Sequence, residues 1–199
     1  MKRNYQKELD SVLEALGGER KRLLLHSCCG PCSSYCLEYL TQYFDVTVFF
    51  YNPNILPREE FDKRLYWQKV LLDSAPFCKG VELIAPEWDD REFFAAAEGL
   101  LSEPEGGARC TECFRLRLTR TAEEAVKGGF DYFATTLTIS PLKNAAVLNE
   151  VGKLCEEGNT KYLPSDFKKK NGYLRSTEIS KEYNMYRQDY CGCVFSYSK

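Results

Sequence analysis

The sequence predicts an α/β fold, a parallel sheet with helices on both faces, in one domain over residues 1–199. Three observations carry that expectation. The apolar stretches "RLLLHS" and "DVTVFFY" are continuous rather than alternating, as in strands buried on both faces. Each is followed by a segment of helix length, so strand and helix alternate along the chain. Turn-forming residues gather between them, as in "NPNILP" and "SEPEGGAR".

Taken in order, "MKRNYQKELDSVLEALGGERKR" opens with a polar N-terminal helix within residues 1–20 and lacks the apolar core of a signal peptide, which predicts a cytoplasmic protein. "RLLLHS" is the first strand and "PCSSYCLEYLTQYF" the helix after it, with Gly30 and Pro31 fixing the turn and favouring a helix start. "DVTVFFY" is the second strand, "REEFDKRLYWQKVLLDS" a long amphipathic helix, "VELIAP" the third strand and "DDREFFAAAEGLL" a helix. "CTECFRLRLTRTAEEAVKGG" is a further helix whose paired glycines suit its C-terminus. "FDYFATTL" is the fourth strand and "PLKNAAVLNEVGKLCEEGN" the helix that follows. The tail, residues 163–199, differs in character, with a short helical stretch and then "YRQDYCGCVFSYS".

Composition narrows the function classes. The chain is 44% apolar and 28% charged, ordinary for a soluble globular protein, and no apolar run reaches membrane-span length. A net charge of −2 gives no global case for nucleic-acid binding, so any such site must be a local basic patch. Ten cysteines in a reducing compartment point to metal or redox chemistry rather than disulfides.

Seven of the ten fall into three groups: Cys28, Cys29 and Cys32; Cys110 and Cys113; Cys191 and Cys193. In parallel sheets ligands bind beyond the carboxyl ends of the strands, which is where "HSCCGPC", "YNPN" and "TTLTIS" fall. Cys110 and Cys113 share one face at a helix start, where the helix dipole favours thiolates. A structural zinc site, a dithiol redox site and an iron–sulfur cluster all fit this spacing. The count exceeds one four-thiolate site, which suggests a second metal or a thiol pair beside the first. Cys28 and Cys29, being adjacent, are expected to diverge and not to share one metal atom. Cys36, Cys78 and Cys155 read as packing residues, Cys36 being the best candidate exception. His26, directly before the thiols, is either a structural histidine or an acid, hydrogen-bond donor or outer-sphere partner of a metal.

Together, "HSCCGPCSS", "FFYNPNI", "EPEGGARCTECFRLRL", "TTLTISPLKN", "LPSDFKKKNGYLRS" and "YRQDYCGCVFS" resemble the cobalamin-independent epoxyqueuosine reductases of the QueH type, from about Leu23 to Ser196. The resemblance implies a nucleotide-hydrolase-like (HUP-like) fold with a metal-binding C-terminal segment. It implies reduction of epoxyqueuosine to queuosine at the tRNA wobble position, with a [4Fe-4S] cluster, a second metal ion (iron or zinc) and an unidentified electron donor. All seven grouped cysteines are then expected at the metal centre. Cys29, Cys110, Cys113 and Cys191 are the expected cluster ligands, and Cys28 and the "YCGC" thiols are placed toward the second metal or the substrate. His26, Cys28 and Asp189 are the expected catalytic groups, Asp189 as a carboxylate ligand or proton donor if it is not simply an exposed acid. An anticodon loop would call for basic, aromatic and amide contacts. Candidates are Asn52, Asn54, Arg64, Trp67, Arg115, Arg117, Lys168, Lys169, Lys170, Tyr186 and Arg187. Two rival readings are a tRNA sulfurtransferase, which lacks its S-G-G-x-D-S phosphate loop here, and a zinc-stabilised RNA-binding module, whose needs the thiols exceed.

Overall fold

A computed structural model describes residues 3–196. The ends of the expected N- and C-terminal segments, 1–2 and 197–199, lie outside the described residues. Element order is α1 (Tyr5–Ala15), β1 (Lys21–His26), α2 (Gly30–Leu40), β2 (Phe44–Phe49), α3 (Arg58–Ser74), β3 (Glu82–Ile84), α4 (Arg91–Ala96), α5 (Ala108–Lys127), β4 (Tyr132–Thr135), α6 (Ala145–Leu154), β5 (Lys161–Tyr162) and α7 (Gly172–Glu182). The five strands form one sheet in the order β3-β2-β1-β4-β5, every neighbouring pair parallel.

Successive residues of a strand face opposite sides, and β1 shows what that does. Leu23 and Leu25 pack into a core with Leu9 of α1, Leu37 and Leu40 of α2, Leu71 of α3 and Ile179 of α7. Leu24 faces the other way, into a core with Phe114 and Leu118 of α5 and Leu148 and Val151 of α6. Burial on both sides is why β1 and β2 read as continuous apolar runs.

Several boundaries differ from expectation, and one strand, β5, was not expected. α2 ends at Leu40 and α4 at Ala96, short of the quoted segments. β4 stops at Thr135, whose Oγ1 accepts the Leu137 N–H at 3.1 Å and turns the chain into a short 3-10 turn over Thr136–Ile139. α6 starts at Ala145 because Asn144 caps it, accepting the Ala146 N–H at 2.9 Å, which leaves "SPLK" in the loop above the sheet. β5 is only two residues long, Lys161↔Tyr132 and Tyr162↔Phe133, too short to mark itself by pattern.

Strand order reverses between β1 and β4, which pair with His26 opposite Thr135. Such a switch point opens a crevice at the carboxyl ends of its two strands. The "HSCCGPC" loop leaves β1 there and "TTLTIS" leaves β4 there. α2 begins at Gly30 under a tight constraint: a Cβ at this position would lie 2.7 Å from the Trp67 carbonyl oxygen of α3. Gly30→Ala must push two backbones apart, and is expected to cost about 2 kcal/mol, lowering Tm by roughly 4–8 °C in thermal unfolding followed by circular dichroism.

Candidate metal centre

The thiol loop after β1 is built from buried polar ties. His26 is fully buried, with Nδ1 2.9 Å from Thr135 Oγ1 and Nε2 3.1 Å from the Tyr51 carbonyl. A carbonyl only accepts, so Nε2 carries the proton and Nδ1 accepts from Thr135. Burial, with Arg117 nearby, pushes the imidazole down to about 3, so it stays neutral. The expectation of an acid at His26 is corrected accordingly: the ring has no spare proton, and it ties β1 to β2 and β4 beneath the loop. The Ser27 and Ser33 hydroxyls meet Gln68 Oε1 of α3 at 2.7 and 2.8 Å, and Asn52 Nδ2 donates to the Ser27 carbonyl at 2.8 Å.

On that base Cys28, Cys29 and Cys32 come together, their sulfurs all within 4.8 Å of one another. Cys28 and Cys29 Sγ are 3.9 Å apart, which overturns the expectation that neighbouring cysteines diverge. That rule belongs to strands. Here the backbone bends into α2, with Cys29 as its extended N-cap residue, and both side chains turn to the same side. The edge of a tetrahedron with metal–sulfur bonds of about 2.3 Å is about 3.8 Å, so this spacing suits one metal ion.

The other four thiols surround a second, smaller space. Cys110, Cys113, Cys191 and Cys193 line a cavity of about 20 Å³ with Asn54, Phe93, Arg109, Phe114 and Arg117. α5 supplies Cys110 and Cys113 in its first two turns, and the Gly106 N–H donates to Cys110 Sγ at 3.2 Å. Cys191 and Cys193 arrive on the segment after α7. Arg64 holds that segment from α3 by donating to the Cys191 carbonyl at 2.9 Å, and the Leu56 N–H donates to the Gly192 carbonyl at 2.9 Å. Gly192 turns there at φ +106°, with Arg64 at 3.0 Å from where a Cβ would sit, so glycine is required.

Cys191 belongs to both spaces, since it also lines a 360 Å³ cavity with Cys28, Cys32, Lys143, Tyr173, Arg187, Asp189 and Tyr190. Charge there favours thiolates. Hydrogen bonds from Cys29 and Cys32, then the Lys143 charge, hold Cys28 well below the ordinary thiol range against burial. A hydrogen bond from Cys193, then Lys143 and Arg117, does the same for Cys191. Burial pushes Cys29 up to about 12 and Cys113 up to about 11, and Cys32 and Cys193, the proton donors of their groups, also lie high. Cys28 and Cys191 are thus poised as thiolates, one in each group, and a bound cation would displace protons from the raised thiols.

The expected substrate contacts separate sharply. Arg187 and Asp189 line the larger cavity. Arg64 lines the same cavity from its floor, where it is 1% exposed and paired with Glu60 at 2.6 Å. Arg117 is likewise buried, its Nε donating to the Cys113 carbonyl at 3.2 Å. Arg115 sits on the outer face of α5 with Glu112, and Lys168 is tied to Asp166 and the Thr138 carbonyl. Lys170 pairs with Asp10 of α1, Tyr186 with Glu60, and Trp67 packs against the core, while Lys169 is exposed. Asn52 and Asn54 are both buried rather than presented at the surface. The sequence reading missed Lys143, which sits in the quoted "TTLTISPLKN" but carries no local signature. Burial would push its ammonium down, yet the charge of the neighbouring thiols, Cys191 and Cys28 first, raises it on balance.

Outside the centre, Cys36 is fully buried and donates to the Cys32 carbonyl, and Cys78 packs in the same core. Cys155 lies at the end of α6 beside Thr119. Cys155→Ser is expected to leave metal content unchanged and activity within about twofold, measured by metal analysis and turnover. Among the described residues no helix is long and apolar enough to cross a membrane.

The sequence model of the family described as "Epoxyqueuosine reductase QueH" matches residues 23–199. A relative from Staphylococcus epidermidis named epoxyqueuosine reductase QueH is 46% identical over 203 residues, covering 98% of this chain and 85% of its own. One of that name from Streptococcus pyogenes is 46% identical over 198 residues, covering 97% and 78%. Another from Thermotoga maritima is 36% identical over 181 residues, covering 87% and 89%.

Proposed function

The chain belongs to the epoxyqueuosine reductase QueH family, and from that premise we propose that it reduces epoxyqueuosine to queuosine at the wobble position of a cytoplasmic tRNA. The observation that carries the reading is the convergence of seven cysteines on the switch point between β1 and β4. The four thiols Cys110, Cys113, Cys191 and Cys193 would hold an iron–sulfur cluster, and Cys28, Cys29 and Cys32 a second metal ion, iron or zinc. The donor chemistry fits such groups, with thiols lining both spaces. Three sulfurs have the spacing of one ion's ligands, and the four-thiol cavity contains buried polar atoms without partners, on Asn54 and Arg117. The described part of the C-terminal segment, 163–196, would then complete the site as part of one α/β unit, because it delivers Cys191 and Cys193.

Conversion of the epoxide to the alkene breaks two C–O bonds, forms the C=C bond and releases water. It consumes two electrons and two protons, the electrons coming from an external donor. When bound, the metal groups supply one-electron transfer and a Lewis acid for the epoxide oxygen. The chain's own residues do the rest. Lys143 brings positive charge, and a proton, to the cavity where charge develops on oxygen. Tyr173, Tyr190 and Arg187 offer stacking surfaces and a cation for a base drawn out of the anticodon loop. Asp189 on the cavity rim is placed to orient polar groups of the substrate. The 360 Å³ volume is suited to one nucleoside-sized group.

The test is conversion of tRNA carrying epoxyqueuosine by anaerobically purified protein with a chemical reductant, followed by nucleoside mass spectrometry. Loss of one oxygen from the modified base is the expected result. Affinity for the tRNA should fall about tenfold between roughly 50 and 200 mM salt if two or three phosphates are neutralised. Full affinity at the higher salt would contradict the tRNA contact.

A further inference from the structure

Among the buried donors without a partner in the described residues, two, on Asn54 and Arg117, line the four-thiol cavity. Asn54, 1% exposed in the loop after β2, lines it with both side-chain amide atoms unpartnered among the described residues. Arg117, 1% exposed on α5, spends its Nε on the Cys113 carbonyl, while its Nη2 has no partner. Buried N–H groups are almost always satisfied, and an orphaned one is costly. Nearly all else around this space is sulfur, aromatic ring or guanidinium: Cys110, Cys113, Cys191, Cys193, Phe93, Phe114 and Arg109. Sulfur made anionic by metal binding would supply the acceptor that these donors lack.

We infer that Asn54 Nδ2 and Arg117 Nη2 donate hydrogen bonds to the sulfur atoms of the metal group held by Cys110, Cys113, Cys191 and Cys193, and that they set its reduction potential. They are positioning residues, acting through the metal group rather than on substrate. This rests on the reading that those thiols hold an iron–sulfur group. Donors to cluster sulfurs favour the reduced, more negative state, and so raise the potential. The assignment moves Asn54 away from the substrate contacts expected from the sequence.

The experiment compares wild-type protein with Asn54→Leu, similar in size but without a donor, and Asn54→Ser, which keeps one. Each is purified anaerobically, analysed for iron and sulfide, and titrated for its midpoint potential. Asn54→Leu is expected to lower the potential by about 59 mV, a tenfold change in a one-electron equilibrium, with Asn54→Ser between it and wild type. Folded Asn54→Leu that loses iron while Asn54→Ser keeps it would also support the proposal, since the donor is then needed for retention. Full iron with an unchanged potential in Asn54→Leu would overturn it, as would equal loss of iron from both variants. A raised KM for tRNA at unchanged potential would return Asn54 to the substrate. Arg117→Lys, which keeps the charge without Nη2, must lower the potential as well. Wild-type protein without iron would refute the preceding reading and the effect on potential with it, and would leave the hydrogen bonds to the thiolate sulfurs to be tested. The variants would then be compared as cobalt(II) proteins: Asn54→Leu must shift the sulfur-to-metal charge-transfer band to longer wavelength, and an unmoved band would overturn the proposal.

Discussion

Cys110→Ser is expected to abolish both the iron–sulfur absorption and the reductase activity while leaving the far-ultraviolet circular dichroism unchanged. Cys110 stands in the first turn of α5 with Cys113 one turn on, and the Gly106 N–H donates to its sulfur at 3.2 Å. A serine hydroxyl there is a poor ligand, because it does not ionise at neutral pH. Loss of an outer-sphere partner of a metal typically costs about 10–100-fold, and loss of a ligand should exceed that. The helix itself does not depend on this side chain, since α5 is anchored by Phe114, Leu118, Ala122 and Ala125 in the core. Turnover and absorption measured on one preparation decide the matter. Undiminished activity would remove Cys110 from the mechanism.

Arg64→Met is expected to destabilise the protein and empty the centre together. Arg64 and Glu60 are 1% and 9% exposed and 2.6 Å apart, so removing the guanidinium strands a buried carboxylate served, among the described residues, by the Tyr186 hydroxyl at 3.2 Å. Breaking a buried pair from one side costs about 3 kcal/mol or more, which at this chain length lowers Tm by roughly 6–12 °C. The same change releases the Cys191 carbonyl, and with it the turn that presents Cys191 and Cys193. The double change Glu60→Leu with Arg64→Met should restore much of the stability, because apolar pairs replace buried ion pairs well. It should not restore metal binding. A Tm for Arg64→Met within 1 °C of wild type would show that the pair is not holding α3 to the C-terminal segment.

How much of this was legible in the sequence depends on whether a residue advertises itself locally. β1 and β2 did, because strands buried on both faces are continuous apolar runs, and α3 did, because its bounds are set by Pro57 before it and the turn chemistry after Ser74. The three thiol groups were legible as clusters at strand and helix ends. Their partition was not. Adjacency suggested that Cys28 and Cys29 diverge, whereas the bend into α2 turns them together, and nothing in "YCGC" reveals that Gly192 fits under Arg64. Basic residues were the least legible. Arg64 and Arg117 look like surface charges in one dimension, but α3 and α5 turn both inward, where the cations face the thiols instead of phosphates. Lys143 went unnoticed because its role depends on where Asn144 starts α6. The resemblance in the ordered motifs supplied the substrate, which no spacing could.

The central claim is that the grouped thiols hold an iron–sulfur cluster with a second metal beside it. Anaerobic purification followed by iron, sulfide and zinc analysis with an absorption spectrum tests it most directly. The expected result is brown protein with about four sulfides per chain and metal in excess of sulfide. Colourless protein with stoichiometric zinc and no sulfide would contradict the account and favour a zinc-stabilised RNA-binding module.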